Sequence, residues 1–343
     1  MSDRFLYLSR ADVERALAEV DPVAVTAGAH RLHAQGRTVL PAECYLSWRT
    51  SDGHAARSLA MGGRLETESA PTGVKVINGS LGNVAAGLPR ASGLTLLLDG
   101  ETARVESVLD AARISSVRTA ATSMLAFLEF GRAEAPTLTI VGAGVIGGAH
   151  LDLALEHVPG LATVYVADAD PARAGALVHE RAGPLAAAGV ACEVLPPREA
   201  ISRGDLVVTA TTTTEPYVGT DWLRPDAVVA NVSLDDLTPD VYYDARLLLV
   251  DDWNLVKLDE HRLLGRLYRA HEIGAPGDAN GARRNVDGEL GQALNGDPGI
   301  RAKAAADGVV VLNPFGLAIE DIALAAAVDA VARERGYGQW IDR

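Results

Sequence analysis

Two basic side chains stand out because their neighbours are apolar or small. Lys75 lies in "TGVKVING" and Arg118 in "ISSVRTAA". Burying an unpaired charge is costly, so a basic residue in such a setting needs an acidic partner from the protein or from a substrate. Together the two suit a carboxylate, with the guanidinium binding it in bidentate fashion. Taken singly, each also fits a structural ion pair or a surface side chain with its head in water. Asp235 and Asp236 in "SLDDLTPD" follow an apolar run that ends at Ser233. Either could exchange a proton with an amine or activate a water. The pair would equally serve as a helix N-cap.

A second cluster is built for an anion. "TLTIVGAGVIGGAH" (residues 137–150) reads as a strand over Thr137 to Val141, a G-x-G-x-x-G turn of Gly142, Gly144 and Gly147, and a helix that opens at Val145 and Ile146. The first glycine permits the tight turn, the second admits a diphosphate to the backbone, and the third lets the helix pack on the strand. Asp168 closes the next strand, "VYVAD", at the distance where an acid accepts hydrogen bonds from an adenosine ribose. A carboxylate there repels the extra phosphate of NADP, so NAD is favoured, although Arg173 nearby could cover a 2′-phosphate. Thr211 and Thr212 in "TATTTT", and Asn231 and Ser233 in "ANVS", end later strands on the same edge and are candidates for further nucleotide contacts. Without a ligand the glycines would make an ordinary βα turn, Asp168 would cap a loop, and the hydroxyls would cap the turns that follow.

The elements that must position these groups can be read from periodicity. Apolar residues from Ala11 to Gly36 recur at helical spacing. Between Pro41 and Asp99, "YLSWR", "RSLAM", "TGVKVI" and "GLTLLLD" predict a mostly antiparallel sheet. "RVESVLDAARISSVRTAATSMLAFLEFG" predicts a long helical stretch broken near "ISS". From Leu138 onward apolar strands alternate with helices, the pattern of a parallel sheet covered on both faces. The expected architecture is α/β, with a Rossmann dinucleotide-binding domain (133–312) inserted in an α+β substrate-binding and dimerisation domain (1–132, completed by 313–343).

Composition narrows the function classes. The chain has 343 residues, 48% of them hydrophobic, and a formal net charge of −14. That balance, with no basic run, argues against a nucleic-acid surface. Cys44 and Cys192 fall in no metal-binding spacing, so no metal site is expected and both thiols are expected to be free and buried. The charged N-terminus lacks a signal-peptide core and no apolar stretch reaches membrane-spanning length, so the reading is cytoplasmic with no membrane partner.

"ASG" (91–93), "ISSVRTAA" (114–121), "VGAGVIG" (141–147), "ELGQ" (289–292) and "LNPFGLAIEDIA" (312–323) resemble, in this order, the ornithine cyclodeaminase and mu-crystallin family. "FLYLSRADVE", "RASG" and "VDDW" are most similar to its siderophore-pathway branch, which forms L-2,3-diaminopropionate. The resemblance implies a homodimer and bound NAD. It also implies oxidative cleavage of a substrate with several carboxylates, N-(2-amino-2-carboxyethyl)-L-glutamate, through an imine to L-2,3-diaminopropionate and 2-oxoglutarate. Lys75 and Arg118 then match the residues that bind the substrate α-carboxylate, Lys75 also being a catalytic candidate. Arg49 or Arg57 would supply another cation, and Asp236, with Asp235 as the alternative, the catalytic acid. Other family activities start from similar residues: cyclodeaminase, alanine dehydrogenase and ketimine reductase. A crystallin-like relative implies a non-catalytic binding protein instead.

Overall fold

The computed structural model describes residues 3–132, 134, 136–279 and 281–343. It divides into two compact units, Met1–Arg118 with Leu317–Arg343, and Thr119–Gly316. Residue 133, where the sequence pattern starts the inserted domain, lies outside the described residues, and the division falls fourteen residues earlier, between Arg118 and Thr119 of one helix.

In the first unit the elements begin β1 (Arg4–Leu8), α1 (Arg10–Leu17), α2 (Pro22–Ala34), β2 (Thr38–Val39), β3 (Cys44–Arg49) and β4 (Ala55–Leu65). They continue with β5 (Thr72–Ser80), β6 (Ala91–Leu98), β7 (Val105–Asp110) and the start of α3 (Ala111–Phe130). Local chemistry sets the helix starts. Ser9 and Asp12 form a reciprocal capping box on α1, and Asp21 caps α2 ahead of Pro22. The chain returns with helix Ala318–Arg335, which ends at left-handed Gly336, and strand Gln339–Asp342. The sheet runs Gln339–Asp342, β1, β7, β6, β5, β4, β2, with β3 also on β4, and every pairing is antiparallel except β1 with β7.

Three expectations are corrected here. "VESVLD" is strand β7, not helix, and α3 runs unbroken from Ala111 through the serines. Ser107 and Leu109 alternate inward and are both fully buried, because the adjacent β6 and the sequence-distant β1 pair on either side. Within α3, Ser116 Oγ donates back to the Arg113 carbonyl at 2.9 Å, so the hydroxyl is satisfied without breaking the helix. Both cysteines are free, but neither is buried. Cys44 sits on β3, all of whose residues are exposed, and Cys192 is half-buried, its thiol pushed up to about 11 by burial and by Glu193.

The second unit is a doubly wound parallel sheet. Its elements are β8 (Thr137–Val141), α4 (Val145–His157), β9 (Thr163–Ala167), α5 (Pro171–Glu180), α6 (Ala182–Ala188), β10 (Ala191–Val194), α7 (Pro197–Arg203), β11 (Leu206–Thr209) and β12 (Val228–Asn231). They continue with α8 (Pro239–Asp244), β13 (Leu247–Val250), α9 (Trp253–Leu258), α10 (Leu263–Arg269), β14 (Ile273–Gly274), β15 (Arg284–Asn285), β16 (Gly288–Glu289), α11 (Leu290–Leu294), α12 (Pro298–Ala304) and β17 (Val310–Asn313). Strand order is β10, β9, β8, β11, β12, β17, β13, β16, all parallel. The order reverses between β8 and β11, the switch point where such sheets hold ligands outside their carboxyl ends. Strands β11, β12, β13 and β17 are buried at every residue, as a sheet with both faces covered requires. Among the described residues no helix is long and apolar enough to cross a membrane.

Candidate functional site

In the second unit the glycine turn lies at that switch point. Gly142 has φ +107°, and a Cβ there would stand 2.4 Å from the Ala210 carbonyl oxygen, so only glycine lets the loop after β11 pass so close. A Cβ on Gly147 would stand 2.1 Å from the Gly142 carbonyl oxygen, which is the close helix-on-strand packing expected of the third glycine. Gly144 is the N-cap of α4 and has no side-chain cap, and a Cβ there would meet nothing nearer than Arg173 Nη2 at 3.7 Å. Val145 is 73% exposed. An open glycine at an uncapped helix N-terminus has the shape and dipole that a diphosphate requires. Asp168 accepts from the Ala143 N–H through Oδ2 at 2.8 Å and from the Asp170 N–H through Oδ1 at 3.0 Å. It therefore braces the turn, with half-buried oxygens that retain lone pairs for a ribose.

The aspartate pair divides. Leu234 has φ +79°, an uncommon conformation for a bulky residue, and the two carboxylates that follow it take different partners. Asp235 Oδ1 accepts from the N–H of Leu263, the first residue of α10, at 2.7 Å; it satisfies that helix start from a distant position, while the N-cap positions of α8 and α10 are Thr238 and Arg262. Asp236 is fully buried within three hydroxyls. Thr211 Oγ1 (2.8 Å) and Tyr217 OH (3.1 Å) donate to its Oδ1, and Ser233 Oγ donates to Oδ2. The Tyr217 and Val218 N–H groups both donate to the Asp236 carbonyl at 2.9 Å, which fixes the phenol-bearing segment alongside. Burial raises the Asp236 carboxyl above its usual value and Asp235 adds to this, although the three hydroxyls oppose it. Burial, with the charge on Asp236, also drives the Tyr217 phenol upward, so it stays neutral and able to donate.

The remaining nucleotide candidates separate in the same way. The Thr211 and Ser233 hydroxyls hold Asp236, while Thr212 is exposed. Asn231 requires a correction, because its side chain is fully buried and committed to a polar network rather than to a ligand. It accepts from Thr209 Oγ1 (2.7 Å) and donates to Asn313 Oδ1 (2.7 Å) and Tyr242 OH (2.8 Å), which ties together the ends of β11, β12 and β17.

In the first unit Lys75 and Arg118 do come together, through acids contributed by helix Ala318–Arg335. Lys75 Nζ lies 2.6 Å from Asp321 Oδ2. Arg118 Nη1 lies 2.8 Å from Glu320 Oε2, and its Nε 3.3 Å from Asp321 Oδ2. His30 Nε2 approaches Glu320 Oε1 at 2.8 Å. Lys75 is 1% exposed and both acids 0%, whereas Arg118 keeps 8%. Burial disfavours the charged form of Glu320, but Arg118, His30 and the Leu317 N–H outweigh it and hold the carboxyl at about 2. Burial moves the Lys75 ammonium down, with Asp321 opposing. Arg49 and Arg57 are exposed on β3 and β4. By register Arg57 shares the sheet face of Lys75, four residues along from Met61, about 13 Å away.

The acid pair in "GLAIEDIA" was legible by the reasoning applied to Arg118, since two charges in an apolar helix also require partners. Tyr217 carried no such signal, because a tyrosine in a loop has many uses.

A family model described as ornithine cyclodeaminase/mu-crystallin matches residues 5–336. The chain belongs to this family. Among ornithine cyclodeaminase/mu-crystallin proteins it is 32% identical over 98% of both chains to N-((2S)-2-amino-2-carboxyethyl)-L-glutamate dehydrogenase of Staphylococcus aureus (strain NCTC 8325 / PS 47). It is 25% identical, again over 98% of both, to an alanine dehydrogenase of Archaeoglobus fulgidus. The crystal structure of CmnK superposes with a TM-score of 0.88 at 36% identity, covering 99% of each chain. An archaeal alanine dehydrogenase dimer with bound NAD, at a TM-score of 0.81 and 24% identity over 98% of this chain and 99% of that one, shares the fold of a Rossmann domain with a second domain.

Proposed function

We propose that the chain is an NAD-dependent dehydrogenase of secondary amines derived from amino acids, which cleaves N-(2-amino-2-carboxyethyl)-L-glutamate to L-2,3-diaminopropionate and 2-oxoglutarate. The observation that carries the reaction class is Asp236, a buried carboxylate with a raised pKa at the carboxyl edge of a sheet whose glycine turn has the form of a dinucleotide site. The choice of substrate rests on the similarity to the Staphylococcus aureus enzyme.

Gly142, Gly144 and Gly147 with the α4 N-terminus would hold the diphosphate of NAD and Asp168 its adenosine ribose, and the cofactor would supply a hydride acceptor for the glutamyl α-carbon of the substrate. The substrate nitrogen gives up its proton to Asp236, the carbon–nitrogen bond becomes an imine, and water adds across it to release the ketone and the amine. Because Asp236 is buried, the proton passes through one of the hydroxyls that contact it. Arg118, oriented by Glu320 and Asp321, holds a substrate carboxylate. Lys75 fixes Asp321 against that guanidinium, and Arg49 or Arg57 receives another carboxylate. A panel of N-(2-amino-2-carboxyethyl)-L-glutamate, L-alanine and L-ornithine with NAD, read by NADH absorbance and product mass, tests this. Appearance of 2-oxoglutarate with diaminopropionate is expected. Turnover of alanine alone, or proline from ornithine without net NADH, would move the chain to another activity, and silence on all three with NADH still bound would leave a binding protein.

The chain also acts as a homodimer joined through the first unit. Support comes from large apolar side chains left exposed there, including Tyr45, Leu46 and Trp48 on β3, and Val84, Leu88 and Leu94. Leu46→Glu with Val84→Glu is expected to shift sedimentation from dimer to monomer. A wild-type monomer at micromolar concentration would remove this part of the reading.

A further inference from the structure

We propose that Arg173 clasps the diphosphate of the dinucleotide, an inference that rests on the nucleotide reading of the glycine turn. Its Nη2 stands 3.7 Å from where a Cβ of Gly144 would be, beside the glycine at which a diphosphate meets the backbone. Among the described residues its guanidinium makes no hydrogen bond and no ion pair, in a chain with 45 acidic side chains against 31 Lys and Arg. By contrast Arg181, close to the neighbouring Gly148, is bound to both Asp152 and Glu180.

The position is also locally unfavourable for a cation. Arg173 is the third residue of α5, where the one acid at the helix start, the N-cap Asp170, accepts from the Ala172 N–H rather than from the guanidinium, so Arg173 adds positive charge to the positive end of a helix dipole. Close by is the uncapped N-terminus of α4. An unpaired guanidinium among like partial charges is a local violation of the kind found where a ligand resolves it, and an anion with two oxygens for the guanidinium fork does so.

A 2′-phosphate fits less well than the diphosphate. The Asp168 carboxylate, fixed at 2.8 Å from the Ala143 N–H, lies at the ribose end of the turn and repels a phosphate there. The guanidinium instead reaches Gly144. Arg173 therefore acts as a positioning residue for the shared diphosphate, and Asp168 remains the group that disfavours NADP.

Calorimetric titration of the full-length protein and of Arg173→Ala and Arg173→Lys with NADH, ADP-ribose and NADP tests this without turnover. Arg173 is exposed, so the variants should melt with the wild type. Arg173→Ala is expected to weaken NADH and ADP-ribose alike, by about tenfold to a hundredfold, with Arg173→Lys in between. Unchanged affinity for NADH and ADP-ribose, or a loss confined to NADP, would overturn the role given to Arg173 while leaving the nucleotide site standing. Failure of the wild type to bind any of the three would instead overturn the nucleotide reading beneath it.

Discussion

Asp236→Asn is expected to lower kcat by about 10²–10⁴-fold, the range that general acid–base groups supply. The amide keeps the carboxylate's shape, so its oxygen still accepts from Thr211 and Tyr217, and a loss of folding is not the cause. The pH profile gives an independent reading. Only the ionised carboxylate can take a proton, and burial raises its pKa in the folded chain. Activity should therefore fall as pH drops through a value above the ordinary carboxylate value of about 3.9. The same shift lowers stability as pH rises through the window between the ordinary and the raised value, because the native state binds the proton more tightly there. Retention of more than a tenth of kcat in the variant, or an acidic limb at or below pH about 4, would remove Asp236 from the chemistry.

The largest stability effect should come from Asp321→Ala. It leaves the Lys75 ammonium, 1% exposed, without the carboxylate 2.6 Å away, and breaking a buried pair on one side costs about 3–5 kcal/mol. Lys75→Met combined with Asp321→Ala removes both charges, and most of the loss should return. Urea unfolding of the two single variants and the double closes the cycle. Additive losses would mean that the two residues do not act as a pair. Glu320 adds a pH signature to the same network. Its folded value of about 2 lies below the ordinary one, so its contribution is complete above pH about 4.5 and is lost as pH falls from there towards 2. The network also explains why Lys75 and Arg118 looked poised for a substrate. Buried charges need partners, and the sequence pattern alone could not say that helix Ala318–Arg335 brings them.

Much of this protein was set by local sequence. The glycine spacing, β-branched runs and crossover helices specify a parallel nucleotide-binding sheet, because each steric and periodic requirement is met within a few residues. Gly147 is needed for a reason that the turn itself contains, the Gly142 carbonyl, whereas at Gly142 the positive φ is local and the approach of the Ala210 carbonyl is tertiary. Asp168 ends the next strand, at a fixed distance from the third glycine. Tertiary structure decided the rest, wherever partners come from distant positions. "VESVLD" fits either periodicity until β1, from the start of the chain, pairs beside it. Asp235 and Asp236 are equivalent as neighbours until the backbone at Leu234 sends one to the start of α10 and the other into a cage of hydroxyls. Asn231 looks like a ligand contact until Asn313, 82 residues away, closes over it. Lys75 and Asp321 are separated by 246 residues, and only the folded chain determines that each neutralises the other.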